Sequence, residues 1–125
     1  TTKFASVRFG NVMESRGNVF SIWDEEIKNK KPISITEPNM KRYFFHVDEA
    51  TDFILKCLPL INEGEIFVPK MNLYKIKDLA DKISKKQKII GLRRGEKIEE
   101  ILLTQDEKNK AIEKKDFWMI KPYGN

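Results

Sequence analysis

The order of strand-like and helix-like segments predicts an α/β fold, and three stretches carry that prediction. Residues 4–9 alternate Phe4, Ser6 and Arg8 against Ala5, Val7 and Phe9, the period of a half-buried strand. Val19, Ile22, Trp23 and Ile27 then recur at helical spacing. Glu65 to Lys70 holds Ile66, Phe67 and Val68 in one apolar run, as expected of a strand buried on both faces. A strand that starts so near the first residue, with no partner before it, places most of its sheet upstream.

Taken in order, the first strand runs into a Gly/Asn/Ser/Arg loop, and Asn18 caps the helix after it. That helix ends in the basic turn Lys28 to Lys31 and is closed by Pro32. Ile33 to Thr36 reads as a short strand and Glu37-Pro38-Asn39 as a turn. The aromatic run Tyr43-Phe44-Phe45-His46-Val47 leads into a second helix capped by Asp48. Its apolar stripe is Ala50, Phe53, Ile54, Cys57, Leu58 and Ile61, and Pro59 stops or kinks it. After the Glu65 strand, Asn72 caps a third helix with Leu73, Ile76, Leu79, Ala80 and Ile83 on its stripe. Lys88 to Leu92 is a fourth strand and Arg93 to Lys97 the loop beyond it. Ile98, Ile101 and Leu102 continue as a short helix or extended segment. Gln105 to Lys115 reads as a polar helix and Asp116 to Ile120 as a last strand.

The chain has 125 residues, 40% hydrophobic and 34% charged, a globular composition with room for a core. No apolar run approaches the ~20 residues of a membrane span, and no signal peptide opens the chain. With one cysteine, Cys57, no internal disulfide forms, which fits a reducing, cytoplasmic setting. Cys57 falls on the apolar side of its helix and reads as a small buried hydrophobe. One Cys and one His (His46) do not make a zinc site of the usual composition. The net charge of +5 favours phosphate-bearing ligands or polyanions. Lys82, Lys85, Lys86 and Lys88 read as a solvated face. Arg93 differs, because nearby Gly95 lets a ligand approach the backbone.

In α/β proteins ligands collect beyond the carboxyl ends of strands, where loop amides and helix N-termini face outward. Asn11, Ser15, Arg16 and the amides around Gly17 stand at such an edge, a setting suited to an anion. The same pattern also serves as an ordinary strand-to-helix connection.

The order of residues is more specific. Val7-Arg8-Phe9-Gly10-Asn11-Val12, Ser15-Arg16-Gly17, Ile35 to Phe44, Val47-Asp48-Glu49-Ala50, Gly64 to Lys70 and Ile90-Gly91-Leu92-Arg93-Arg94-Gly95-Glu96-Lys97 follow one another collinearly. Together they resemble the extended short-chain dehydrogenase/reductases, and within them the CapD-type nucleotide-sugar 4,6-dehydratases of polysaccharide biosynthesis. The resemblance covers Phe4 to about Pro122. It implies the C-terminal part of a Rossmann-like extended short-chain dehydrogenase fold: the last sheet strands plus the small substrate-binding lobe. Residues 1–125 would then be a single substrate-binding region, a fragment without the N-terminal dinucleotide-binding half, and Thr1 in place of Met agrees.

The family's hydride chemistry uses a Tyr-x-x-x-Lys pair and glycine-rich turns that hold NAD or NADP. Tyr43 and Tyr74 are followed four residues later by Val47 and Asp78, Tyr123 has only Asn125 beyond it, and no glycine-rich turn occurs. No catalytic residue is therefore assigned. The resemblance places Asn11 and Arg16 at the sugar nucleotide, Val12 and Ser15 beside the cofactor, and Arg93 and Glu96 on a UDP-sugar. Arg42 joins them as a second guanidinium for the diphosphate. Glu14 and Arg94 depart from the family pattern, which carries a small residue and often proline there. For Asn11 the alternative is a turn-holding role, and for Glu96 a capping carboxylate. Tyr43, Phe44, Phe45, Phe67, Phe117 and Trp118 are assigned to the core.

The leading expectation is thus the substrate-binding portion of an NAD(P)-dependent UDP-N-acetylhexosamine 4,6-dehydratase or epimerase, not catalytic alone. Its partners would be a UDP-sugar, the N-terminal half and, when complete, further copies in a homo-oligomer, with no nucleic acid. The competing readings are a small basic nucleic-acid-binding module and a stand-alone partner-binding remnant.

Overall fold

The computed structural model describes residues 2–13 and 18–122. The strands are β1 (Ser6–Val7), β2 (Asn11–Val12), β3 (Ile33–Ile35), β4 (Lys41–Phe45), β5 (Ile66–Pro69), β6 (Asn72–Lys75), β7 (Gln87–Ile89), β8 (Ile112–Glu113) and β9 (Phe117–Ile120). The helices are α1 (Val19–Lys28), α2 (Val47–Cys57), α3 (Ile76–Ile83) and α4 (Gln105–Lys110). They form two compact units that interleave along the chain.

The first unit holds Thr1–Gly10, Asp48–Met71 and Ile101–Asn125. Its sheet has the order β1-β5-β9-β8, with β1 and β5 parallel and the other pairs antiparallel. β1 is shorter than the 4–9 alternation predicts, and both of its residues are exposed. It is held on the β5 side by Ser6 N–H to the Glu65 carbonyl and Arg8 N–H to the Phe67 carbonyl, both 2.9 Å. β5 supplies buried Phe67 and Val68, and Phe53 of α2 meets Phe117 of β9 edge-on at 6.1 Å.

α2 begins at Val47, so Asp48 lies in the first turn beside Glu49 and is not its cap. The two carboxylates there still favour the helix through its dipole. Ala50, Phe53 and Cys57 of the expected stripe are buried, whereas Ile54 and Leu58 are exposed. Pro59 converts the end of α2 into the 3-10 turn Leu58–Leu60. Burial pushes the Cys57 thiol up, with nearby Lys56 opposing, which fits a packing role. The turn 62–64 has an unforeseen centre: the carboxylate of buried Glu65 accepts from the amides of Asn62 and Glu63 at 2.7–3.1 Å.

The second unit holds Asn11–Val47 and Asn72–Glu100. It contains the three-stranded sheet β2-β4-β6, in which β2 is parallel and β6 antiparallel to central β4, and the parallel pair β3-β7. Trp23, Ile33, Ile35, Met40, Phe44, Ile76, Leu79 and Ala80 form its core. Trp23 is fully buried and its indole Nε1–H donates to the Ser34 carbonyl at 2.7 Å. That bond satisfies the one polar atom the residue brings inside.

Asn72 does not cap α3. It starts β6, which pairs antiparallel with β4 from Phe44↔Asn72 to Lys41↔Lys75 and runs up to the helix. α3 has no side-chain cap. Its first amide, Ile76 N–H, donates to the Met40 carbonyl at 2.8 Å. The polar helix expected over 105–115 ends at Lys110, and β8 takes up Ile112–Glu113.

Candidate functional site

The second unit contains a cleft of about 220 Å³ built from both of its sheets and both of its helices. Asn11 of β2 and Arg42 and Phe44 of β4 form one part of the wall. Asn18, Val19 and Ile22 enter from the start of α1, and Ser34 and Ile35 from β3. Met40 and Ile76 make an apolar floor, while Ile90, Arg93 and Glu96 come from the segment after β7. Carbon-rich walls with a few polar groups and two guanidinium residues suit a ligand with an apolar-faced ring and an anionic tail.

Four of the residues singled out from sequence meet here: Asn11, Arg42, Arg93 and Glu96. Asn11 donates from Nδ2 to the Tyr43 carbonyl at 3.3 Å, so it ties β2 to β4 while it lines the cleft. Arg93 has the most exposed side chain of the Arg93–Glu96 pair, 73% against 28%, and its Nε stands 3.9 Å from Glu96 Oε1. Glu96 Oε1 also accepts from the Arg93 amide at 3.0 Å, and the Glu96 amide donates back to the Arg93 carbonyl at 3.0 Å. The turn closed in this way runs through Gly95 at φ +85°, a left-handed conformation that glycine adopts without strain. A Cβ on Gly95 would meet nothing within 4 Å, so conformation and not crowding is what asks for glycine.

Arg42 lines the cleft and also bonds backbone carbonyls. Its Nη1 donates to the Lys41 and Ile98 carbonyls at 2.7 and 3.3 Å, and Nη2 to the Lys97 carbonyl at 2.6 Å. Three of its five N–H donors are therefore committed to backbone. Val12 pairs with Phe45 in the sheet and does not line the cleft. Ser15 and Arg16, with Glu14, lie outside the described residues.

Asn18 was foreseen only as a cap, and it is one: Oδ1 accepts from the Phe20 and Ser21 amides at 2.9 and 3.2 Å. Its Nδ2 also donates to the Val12 and Met13 carbonyls, both at 2.7 Å, and the residue lines the cleft. Ser34 is a further lining residue with no motif to announce it. Its amide and hydroxyl both donate to Glu26 Oε1 at 3.0 Å, which ties β3 to α1. Nothing in the local sequence pattern ties Glu26 to Ser34.

A family model described as polysaccharide biosynthesis protein matches residues 1–122. An uncharacterized membrane protein of Methanocaldococcus jannaschii is 37% identical over 98% of this chain and 41% of its own length. A UDP-N-acetylglucosamine 4,6-dehydratase (inverting) of Campylobacter jejuni is 35% identical over 97% of the chain and 37% of its length. A UDP-glucose 4-epimerase of Rickettsia rickettsii is 37% identical over 95% and 37%. The X-ray structure of Pen from Bacillus thuringiensis superposes with a TM-score of 0.86 at 36% identity, over 95% of this chain and 40% of that one. The chain thus spans about two-fifths of the length of these relatives. Among the described residues no helix is long and apolar enough to cross a membrane. With the collinear motifs, the α/β architecture and this match over nearly every residue, the chain belongs to the polysaccharide biosynthesis protein family, that of the CapD-type nucleotide-sugar dehydratases.

Proposed function

We propose that this chain supplies the sugar-nucleotide-binding portion of an NAD(P)-dependent UDP-sugar 4,6-dehydratase or epimerase, with a UDP-N-acetylhexosamine as ligand. The observation that carries this reading is the convergence of Asn11, Arg42, Arg93 and Glu96 on one cleft. Arg93 offers an exposed planar fork to the diphosphate, the geometry in which a guanidinium binds phosphate through paired bonds. Glu96 keeps one carboxylate oxygen on the Arg93 amide and has the other for a ribose hydroxyl. Val19, Ile22, Met40 and Ile76 give a ring an apolar seat. At about 220 Å³ the cleft is smaller than the ~300–1,000 Å³ of complete ligand pockets. It therefore suits one end of a nucleotide sugar, with the reacting end held elsewhere.

The cofactor, NAD or NADP, belongs to the complete enzyme, where it supplies the hydride acceptor and donor. This chain has no Tyr-x-x-x-Lys and no glycine-rich turn, so the cofactor would be held largely by the N-terminal half, with Val12 and Ser15 beside it. The role derived for the residues of this chain is to bind and orient. A cytoplasmic, homo-oligomeric enzyme completed by a dinucleotide-binding half is part of the same proposal.

Calorimetric titration of the full-length protein with UDP tests it. Arg93→Lys keeps the charge but loses the fork, and should weaken binding by about 1–3 kcal/mol. Arg93→Ala should weaken it more, and Lys85→Ala, on an exposed face, should leave it unchanged. Unaltered UDP affinity in Arg93→Ala would reject the assignment.

A further inference from the structure

β3 is paired along one edge, where it meets β7. The Ile33 amide donates to the Lys86 carbonyl at 2.9 Å and the Ile90 amide to the Ile35 carbonyl at 2.8 Å, so residues 33 and 35 use their backbone on that side. The residue between them then turns its N–H and C=O to the opposite edge. Among the described residues no strand pairs with that edge. A strand edge of this kind leaves its polar groups unsatisfied unless something else covers it.

α1 covers it with two side chains one turn apart. Trp23 Nε1–H donates to the Ser34 carbonyl at 2.7 Å, and Glu26 Oε1 accepts from the Ser34 amide at 3.0 Å. The indole N–H stands in for a strand amide, and the carboxylate oxygen for a strand carbonyl. The same Glu26 oxygen accepts from the Ser34 hydroxyl at 3.0 Å, so every polar atom of Ser34 bonds to α1. The two ties differ in what else they do. Trp23 is fully buried and belongs to the core, whereas Glu26 is half-buried and lies outside it. Glu26 shares a helical stripe with Val19 and Ile22, which line the cleft, and Ser34, Ile35 and Thr36 line it too. Glu26 does not, so its carboxylate acts on the β3 wall through Ser34.

We infer that Glu26 is a positioning residue of the cleft: by holding the amide and hydroxyl of Ser34 it fixes the 34–36 wall against α1, without itself bonding the ligand. This rests on the reading of the cleft as the sugar-nucleotide site. The carboxylate serves as a hydrogen-bond acceptor, and glutamine, which keeps a carbonyl oxygen at that position, can take its place.

The test uses full-length protein carrying Glu26→Ala, Glu26→Gln or Arg93→Ala. In Glu26→Ala without ligand the Ser34 amide should exchange about tenfold faster, while the amides of β6, paired with β4, exchange as in the wild type. UDP should bind about tenfold more weakly, and KM for the sugar nucleotide should rise with kcat little changed. Glu26→Gln should stay within about a factor of two of the wild type in exchange, affinity and KM. A Glu26→Ala protein that is less stable yet keeps wild-type UDP affinity and KM would overturn the inference. Unchanged exchange at Ser34 would overturn it as well. So would a Glu26→Gln protein that loses as much as Glu26→Ala, since the charge and not the tie to Ser34 would then be at work. Arg93→Ala protein that keeps its UDP affinity refutes the cleft reading itself, and the effect of Glu26 on ligand with it.

Discussion

Glu107 shows how much one carboxylate can organise. It accepts from the Thr104 amide at 3.0 Å while the Thr104 hydroxyl accepts from its own amide at 3.1 Å, closing a capping box on α4. Arg8 Nη1 meets both of its oxygens at 2.9–3.0 Å and also the Leu102 carbonyl at 3.0 Å. The Thr104 amide, and after it Arg8, hold the Glu107 carboxyl below the usual range. A carboxyl depressed in the folded state contributes stability that is present above its unfolded pKa and is lost as pH falls through the folded one. Stability should therefore drop below about pH 4, and Glu107→Gln should flatten part of that drop. Urea midpoints at pH 6 and pH 3 for both proteins measure it; an identical acid loss in the two would contradict the assignment. Asp81 and Asp116 are lowered as well, by bonds from Lys77 and Lys56, but both are exposed and should add little that salt does not screen. The Thr104-x-x-Glu107 spacing is a capping box in plain sight. Arg8 as its partner, 99 residues away, is not, because no local pattern encodes a contact at that range.

Among the elements, α1 depends on Asn18 at both ends of its side chain. The Oδ1 cap satisfies two amides of the first turn, and Nδ2 donates to the carbonyls of Val12 and Met13. Asn18→Ala should cost about 1–2 kcal/mol or somewhat more. Asn18→Asp keeps the acceptor and adds a charge the helix dipole favours, yet loses both donors. If the donors matter, the Asp variant should be less stable than the wild type despite its better cap, as thermal unfolding will show. An Asp variant equal to or above the wild type would mean that capping alone accounts for Asn18. The helix periods were legible here: Trp23 in α1, Phe53 in α2 and Leu79 in α3 all fall inward as their spacing implies. Strand edges were less so. Asn72 has the chemistry of a cap, but pairing with Phe44 overrides it and makes the residue a strand start. β2 went unread because two residues between Gly10 and Met13 hold no period; their structure comes from β4 beside them.

In the whole molecule, the sequence reading gave one substrate-binding region, whereas the chain forms two units that interleave, and this sets the location of the site. The second unit draws its cleft from residues 11–47 and 72–100, so no contiguous stretch contains it. Asn11, Arg42, Arg93 and Glu96 were visible as motif residues. The bonds of Arg42 to the carbonyls of Lys97 and Ile98 were not, because they depend on which carbonyls lie within reach after folding. The 125-residue chain carries no Tyr-x-x-x-Lys pair, so by itself it should not turn over a UDP-sugar whatever cofactor is added. Product formation assayed on chain purified free of full-length enzyme checks this, and measurable turnover would show that the chemistry lies within these residues. The most direct test of the cleft is a crystal structure of the full-length protein with UDP-N-acetylglucosamine. The diphosphate should lie against Arg93 and Arg42, with a ribose hydroxyl on Glu96. A sugar nucleotide bound away from all three would contradict the account.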